Sequence, residues 1–247
     1  MDPIHQFTVQ PFVPVHLFGL DLSFTNASLF MVLVVALVCI VMLIGTSQHS
    51  IVPGRLQSAA EMSYEFVAST VKMSAGTAGM KFFPLIFSIF MFILACNLLG
   101  LLPFSFSITS QLVITFALAI LVILVVLAVG FSRHGLHFLK LFVPSGVTIW
   151  LLPFIVVIEV ISFLIRPVTL SVRLFANMLA GHITLKVMAG FVTALLGAGL
   201  ATWIVAPLPF LANVVLLGFE LFVAVLQAYI FTILSCVYLN DAIHPGH

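Results

Sequence analysis

Three long stretches without any Asp, Glu, Lys or Arg constrain the fold of this chain most strongly. They run from 22 to 54, from 82 to 132 and from 187 to 219. Each contains an apolar segment near the ~20 residues that a membrane-spanning helix needs. Only 6% of the 247 residues are charged, against about 25% in soluble proteins. A membrane β-barrel would alternate in pieces of about ten residues, and that pattern is absent. The sequence therefore predicts an all-α integral membrane protein.

Apolar segments and the breaks between them predict one polytopic domain over 1–247. Spans are expected at 27–46, 82–102 and 111–131, followed by two longer helical segments at 147–191 and 208–240. The stretch 55–76 differs, because its polar and apolar residues take opposite faces of a helical wheel. This indicates an amphipathic helix on the membrane surface, with a solvated connector as the alternative. The apolar face holds Leu56, Ala60, Tyr64, Val67 and Val71, and the polar face holds Gln57, Glu61, Glu65 and Lys72.

The distribution of basic residues predicts the orientation. The N-terminal tail, the turn at 103–110 and the break at 197–212 contain no Lys or Arg. Positive charges mark the cytoplasmic side, so we expect the N-terminus outside and the C-terminus in the cytoplasm or matrix. The first 20 residues lack the basic region of a signal peptide, which predicts that the first span is retained. The alternate connections hold Arg55, Lys72, Lys81, Arg133 and Lys140.

The segment 147–191 is too long for a simple span. Its 45 residues would make roughly 67 Å of helix at 1.5 Å per residue, against a hydrocarbon core of about 30 Å. Either a loop at 166–173 splits it into two spans, or it is one steeply inclined helix. Glu159, Arg166 and Arg173 are seven residues apart and share one face, with Asn177 close to it. That register favours one helix, while Pro167 counts against a regular one.

Ionisable residues at membrane depth are the candidate functional groups, because each costs at least ~2.5–3.5 kcal/mol there. Lys186 can extend to an interface, and Arg166 can form a structural pair with Glu159. His182 and Glu220 reach similar depth if the two long segments form a hairpin turning near residue 200. An imidazole and a carboxylate at matched depth suit proton relay. The last segment also carries a polar stripe at multiples of seven: Asn213, Glu220, Gln227 and Asp241.

Three sequence motifs carry a family resemblance. They are RPVTLSVRLFANMLAGH at 166–182, LQAYIF at 226–231 followed by VYL at 237–239, and NLLGLLP at 97–103. Together and in this order they closely resemble the signatures of subunit a of F-type ATP synthases. The resemblance covers essentially the whole chain. It implies one separate span, an amphipathic surface helix, a spanning hairpin and two long inclined helices beside a rotating c-ring, which favours the single-helix interpretation of 147–191.

The resemblance also implies a function, a non-catalytic proton-translocating stator subunit with two offset half-channels. Arg173 would be the essential stator arginine facing the ring, and Asn177 and Gln227 would be polar neighbours of it. Glu159 would lie on the cytoplasmic pathway. Many bacterial members carry Glu at the position of His182 and His at that of Glu220. The exchange found here matches mitochondrial-type members and preserves the pair's chemistry, so both residues are expected in the outer relay, with Asn213.

The implied partners are c-ring proteolipids, peripheral-stalk b-type subunits, the lipid membrane and protons. The implied location is a bacterial inner membrane, or alternatively a mitochondrial one. A net charge of +1 gives no sign of nucleic-acid binding. Cys39, Cys96 and Cys236 lack metal-type spacing, so neither metal nor cofactor is expected. The alternative function is another proton- or ion-coupled secondary transporter, which would usually show an internal repeat with paired broken helices. No such repeat is found.

Overall fold

The computed structural model describes residues 9–14, 16–17, 20–21, 23–47, 52–102, 105–143 and 150–244. Within these ranges the chain forms six α-helices and four very short strands. Five helical stretches are long and apolar enough to cross a membrane. The all-α membrane class predicted from the sequence is therefore confirmed. The helices are α1 Asn26–Ser47, α2 Arg55–Gly79, α3 Phe83–Gly100, α4 Leu112–His134, α5 Leu152–Gly197 and α6 Pro207–Ile243.

The N-terminal region contains two small antiparallel strand pairs that the sequence did not predict. Strand β1 (Pro11–Val13) pairs with β4 (Phe24–Thr25), and β2 (His16–Leu17) pairs with β3 (Leu20–Asp21). Strands of two or three residues give too little alternation to be recognised. The β1–β4 pair leads directly into α1. Thr25 Oγ1 accepts a hydrogen bond from the Ser28 N–H at 3.3 Å, which caps the first helical turn.

Helix α2 shows the predicted separation of polar and apolar residues, with two differences. Ala60, Val67 and Val71 are buried, whereas Glu61, Glu65 and Lys72 are exposed. Leu56 and Tyr64, predicted on the apolar face, are each 50% exposed. Tyr64 packs instead edge-on against Phe83. The helix is interrupted at Gly76, whose φ of 63° is open to glycine at little cost. A 3-10 turn, Met80–Phe82, then leads into α3.

Prolines mark the starts of three helices. Pro84 lies in the first turn of α3, Pro153 in that of α5, and Pro207 begins α6. The first-turn N–H groups of a helix have no intrahelical acceptor, so proline is tolerated there. Two further prolines, Pro103 and Pro144, lie outside the described residues. The predicted start of the long helix at 147 lies outside them as well.

The long segment that begins in the sequence at 147 forms one helix over its described part. Helix α5 runs for 46 residues and passes through Pro167 without ending, so 166–173 is not a loop. It extends to Gly197, beyond the predicted end at 191. Gly199, with a φ of 128°, and a 3-10 turn at Leu200–Ile204 then connect it to α6. The predicted start of the last segment at 208 lies within one residue of the observed start of α6, Pro207.

The chain divides into two compact units. Unit 1 comprises 1–39, 92–111 and 174–228, and unit 2 comprises 40–91, 112–173 and 229–247. Aromatic contacts are numerous in unit 2, where Phe66 packs against both Phe90 and Tyr229. His134 at the end of α4 contacts the carbonyl oxygen of Ile243 at 3.0 Å, near the end of α6. Each unit contains its own group of the candidate residues.

Candidate functional site

A buried ionisable pair in unit 1 joins α5 to α6. His182 Nδ1 lies 3.3 Å from Glu220 Oε1, and the two side chains are 9% and 4% exposed. The sequence predicts these residues at matched depth, and the structure brings them into contact. Imidazole and carboxylate at this distance can exchange a proton directly. Within a spanning helix, contact between them also reduces the cost of charging either group.

Gly181 provides the space for this pair. An ideal Cβ built at Gly181 would stand 2.7 Å from Glu220 Oε1 and 2.8 Å from its Cδ. Both distances are shorter than van der Waals contact, so any side chain there would displace the carboxylate. By contrast, a Cβ at Gly190, further along the same helix, would meet nothing within 4 Å. The glycine beside His182 therefore has a specific packing role that the one at 190 lacks.

Further buried polar side chains lie in unit 1. Asn97 is fully buried, and its Nδ2 donates to the carbonyl oxygen of Ala224 at 3.0 Å. An ideal Cβ at Gly100 would stand 3.2 Å from Ser107 Oγ and 3.4 Å from His182 Nε2. The end of α3 therefore approaches the pair closely, at a glycine. Apart from the carboxylate of Glu220, the buried oxygens without a hydrogen-bond partner among the described residues are Asn97 Oδ1, Ser107 Oγ, Thr109 Oγ1 and Asn213 Oδ1.

Arg173 lies on an exposed part of α5 in unit 2. Its side chain makes no hydrogen bond or ion pair with the part of the chain that the structure describes. Asn177, one turn further along α5, is also exposed. Glu159 is partly exposed and is likewise without an ion pair to the residues described. A guanidinium presented in this way is available to an anionic group on another molecule.

Arg166 is paired, but not with the residue that the sequence suggested. Its Nη1 donates to Asp241 Oδ2 at 2.9 Å, whereas the sequence offered Glu159 as a structural partner. Glu159 and Arg166 are seven residues apart, or roughly 10 Å along a helix axis, which is too far for a direct contact without bending both side chains. Asp241 on α6 reaches Arg166 from the facing helix.

The remaining predicted residues lie on the same two long helices. Gln227 is buried on α6, at 4% exposure, and Asn213 is partly buried two heptads before it. Lys186 is partly exposed, one turn beyond His182 on α5. Sequence reasoning missed the roles of Gly181, Ser107 and Asp241. The uncharged sequence Ser-Ile-Thr-Ser at 107–110 was a usable signal, because hydroxyl groups next to a spanning helix need hydrogen-bond partners.

These features define a class of protein: a multi-pass helical membrane protein with ionisable side chains inside its spanning helices. A family model described as ATP synthase A chain matches residues 28–240. The chain belongs to this family. It is 61% identical over 247 residues to ATP synthase subunit a of Beijerinckia indica subsp. indica, covering 100% of this chain and 98% of the relative. It is 60% identical to ATP synthase subunit a of Chelativorans sp. (100% of this chain, 99% of the relative) and of Rhizobium etli (99% and 98%).

Proposed function

We propose that this chain is the proton-conducting stator subunit of the membrane sector of an ATP synthase. The observation that carries the proposal is the buried contact between His182 and Glu220 in a chain that belongs to the ATP synthase A chain family. The chain would supply two offset half-channels and perform no bond-making chemistry itself. Its partners would be the c-ring proteolipids and the peripheral-stalk subunits, with lipid around its apolar faces.

The outer half-channel is assigned to unit 1. Protons would pass Asn213, Glu220 and His182 on their way to a ring carboxylate. Ser107 and Thr109 extend this set, because their buried hydroxyl oxygens lack partners in the described chain. Buried polar groups of this kind usually bond to water. Hydroxyl groups and water can pass a proton along a chain of hydrogen bonds to the imidazole.

Arg173 would separate the two half-channels. A guanidinium cannot lose its proton under ordinary conditions, so it stabilises a passing carboxylate in the charged form and cannot relay a proton itself. Once protonated at the outer half-channel, the ring carboxylate is neutral and can rotate into lipid at low cost. Asn177 and Gln227 would provide polar neighbours for the approaching carboxylate.

Glu159 would receive the proton on the inner side. It lies fourteen residues before Arg173 on α5, roughly 21 Å along the helix axis. Arg173 therefore comes between Glu159 and His182 in the sequence of α5, as offset half-channels require. Proton flow is then driven electrically as well as chemically, since one charge crossing 100 mV carries about 2.3 kcal/mol.

The proposed location follows from the same features. Positive residues in alternate connections orient the N-terminus outside and the C-terminus in the cytoplasm. The relatives reported above come from bacteria, which favours a bacterial inner membrane over a mitochondrial one.

Purification of the native complex tests the proposal. A tagged copy of this chain should co-purify with a small ring-forming proteolipid and with the ATP-hydrolysing subunits. After reconstitution into sealed vesicles, ATP should drive proton uptake that an uncoupler collapses. A preparation that contains this chain but no ring proteolipid would contradict the proposal.

Gly181→Ala provides a geometric test of the outer half-channel. The added Cβ would overlap the Glu220 carboxylate and displace it. Because small displacements of reacting groups lower reaction rates strongly, we expect the rate of ATP-driven proton pumping to fall by about tenfold or more. Gly190→Ala is the matched control, since its Cβ enters open space on the same helix. It should pump at the wild-type rate. Equal rates for the two variants would show that the contact between residues 182 and 220 is not used.

A further inference from the structure

Arg166 contacts one carboxylate and two aromatic rings in unit 2. Its guanidinium donates to Asp241 at 2.9 Å. The guanidinium carbon lies 4.9 Å from the ring centroid of Tyr238 and 5.4 Å from that of Phe163, within the range of cation–π attraction. We call these four residues the Arg166 cluster. Asp241 and Tyr238 lie on α6, so the cluster draws the arginine toward that helix.

Among the residues that the structure describes, Arg173 lacks the ion pair that holds Arg166. It is exposed and makes no ion pair within the described ranges. The two arginines are seven residues apart on one helix, so their directions differ by only about 20°. They are separated by roughly 10 Å along the helix axis. One face of α5 therefore carries two guanidiniums, and among the residues that the structure describes an ion pair is found for Arg166 alone.

A second available cation would interfere with the proposed mechanism. A ring carboxylate attracted to Arg166 would have an alternative ionic partner close to Arg173, and both would favour its charged form. In a medium of low dielectric such an attraction is strong and poorly screened. The carboxylate would then be held at the wrong position and would leave it slowly. A carboxylate within the chain removes this competition.

We propose that Asp241 is a positioning residue that neutralises Arg166 and keeps it from the passing ring carboxylate, so that Arg173 is the one cation the carboxylate meets. Tyr238 and Phe163 assist by holding the guanidinium plane away from the exposed face. This inference rests on the proposed function of the chain. It assigns Asp241 a role through Arg166 and gives it no direct contact with the transported proton.

The two members of the pair should respond asymmetrically to mutation. In inverted membrane vesicles containing the whole complex, Asp241→Asn should lower the initial rate of ATP-driven proton pumping by about tenfold, because it leaves the Arg166 charge uncompensated. Arg166→Gln should pump within about twofold of wild type, since the competing cation is gone. The double variant Arg166→Gln/Asp241→Asn should recover to that same level. Asp241→Glu, which keeps the carboxylate, should also pump.

A merely structural tie between α5 and α6 predicts a different pattern. Either single substitution would then impair pumping, and the double variant would be no better than Asp241→Asn. That pattern, or wild-type pumping by Asp241→Asn, would overturn the proposal. Immunoblotting of the membranes gives the amount of each variant. If Asp241→Asn does not accumulate, the double variant decides: normal pumping supports the proposal and failure to pump overturns it.

The same vesicles separate this inference from the proposed function. An Arg173→Ala arm should lose pumping whatever happens at Asp241. If Arg173→Ala pumps normally, the proposed function itself is wrong. If Arg173→Ala fails while Asp241→Asn equals wild type, the proposed function stands and the role of Asp241 does not.

Discussion

Arg173→Ala should abolish ATP-driven proton pumping, with a loss of about a hundredfold or more relative to wild type. The exposed guanidinium is the group that would hold a ring carboxylate in its charged form between the half-channels. Without it, no positive charge would stabilise the deprotonated carboxylate, so the ring carboxylate would not release its proton at the correct position. Pumping is measured as quenching of a pH-sensitive dye in inverted vesicles, with the amount of assembled complex checked by immunoblotting.

Loss of Arg173 should also open a leak. With the ATP-hydrolysing sector removed, passive proton conduction through Arg173→Ala vesicles should exceed that of wild type, because no fixed positive charge then blocks transfer between the half-channels. Arg173→Lys should be only partly active, since a lysine at membrane depth can lose its proton. Arg133→Ala, which removes an exposed arginine at the end of α4, is the control and should pump normally. Normal pumping by Arg173→Ala would contradict the assignment of Arg173 as the stator arginine.

The class of fold could be predicted from the sequence because the hydrocarbon core of a membrane restricts which residues a spanning segment can contain. An uncharged stretch of about twenty apolar residues has few stable alternatives to a spanning helix. The continuity of α5 was also predictable in part. A heptad spacing of Glu159, Arg166 and Arg173 has a physical reason only within one helix, and α5 does run through Pro167. The short strands near the N-terminus gave no comparable periodic signal.

Partners across helices were harder to predict than positions along one helix. Glu159 was a natural partner for Arg166 because they share a face of one helix, yet Asp241 on α6 forms the ion pair. Which facing residue reaches a long side chain depends on the rotation of each helix, and spacing in one sequence does not encode that rotation. The close approach at Gly181 has the same origin, since only the packed structure shows what a Cβ would meet.

Contact between His182 and Glu220 was easier to anticipate, because a hairpin fixes which depths coincide. Residues 182 and 220 are nearly equidistant from the break between α5 and α6, which spans 198–206. In an antiparallel arrangement residues at equal distance from the turn meet. Sequence spacing thus gave the depth of the pair, while the 3.3 Å contact and the burial required the structure.

Glu220→Gln should lower ATP-driven proton pumping by about a hundredfold, because an amide cannot accept and release the transported proton. The carboxylate is buried and lies beside the imidazole, so a relay through this contact would lose its acceptor. Glu65→Gln, which neutralises an exposed carboxylate on α2, is the matched control and should pump at the wild-type rate. The pumping assay described for Arg173 gives both rates.

Exchange of the two residues tests whether the relay depends on the pair or on each position. His182→Glu alone places two carboxylates together, which repel each other when both are charged. Glu220→His alone leaves two imidazoles and no carboxylate in the contact, so each single variant should be strongly impaired. The double variant His182→Glu/Glu220→His restores one acid and one imidazole in the same contact. We expect it to recover to within about tenfold of wild type, since one proton-accepting carboxylate and one imidazole are again in contact. A double variant as inactive as both singles would mean that the proton follows a route fixed by position, with a separate hydrogen-bond partner for each of the two groups.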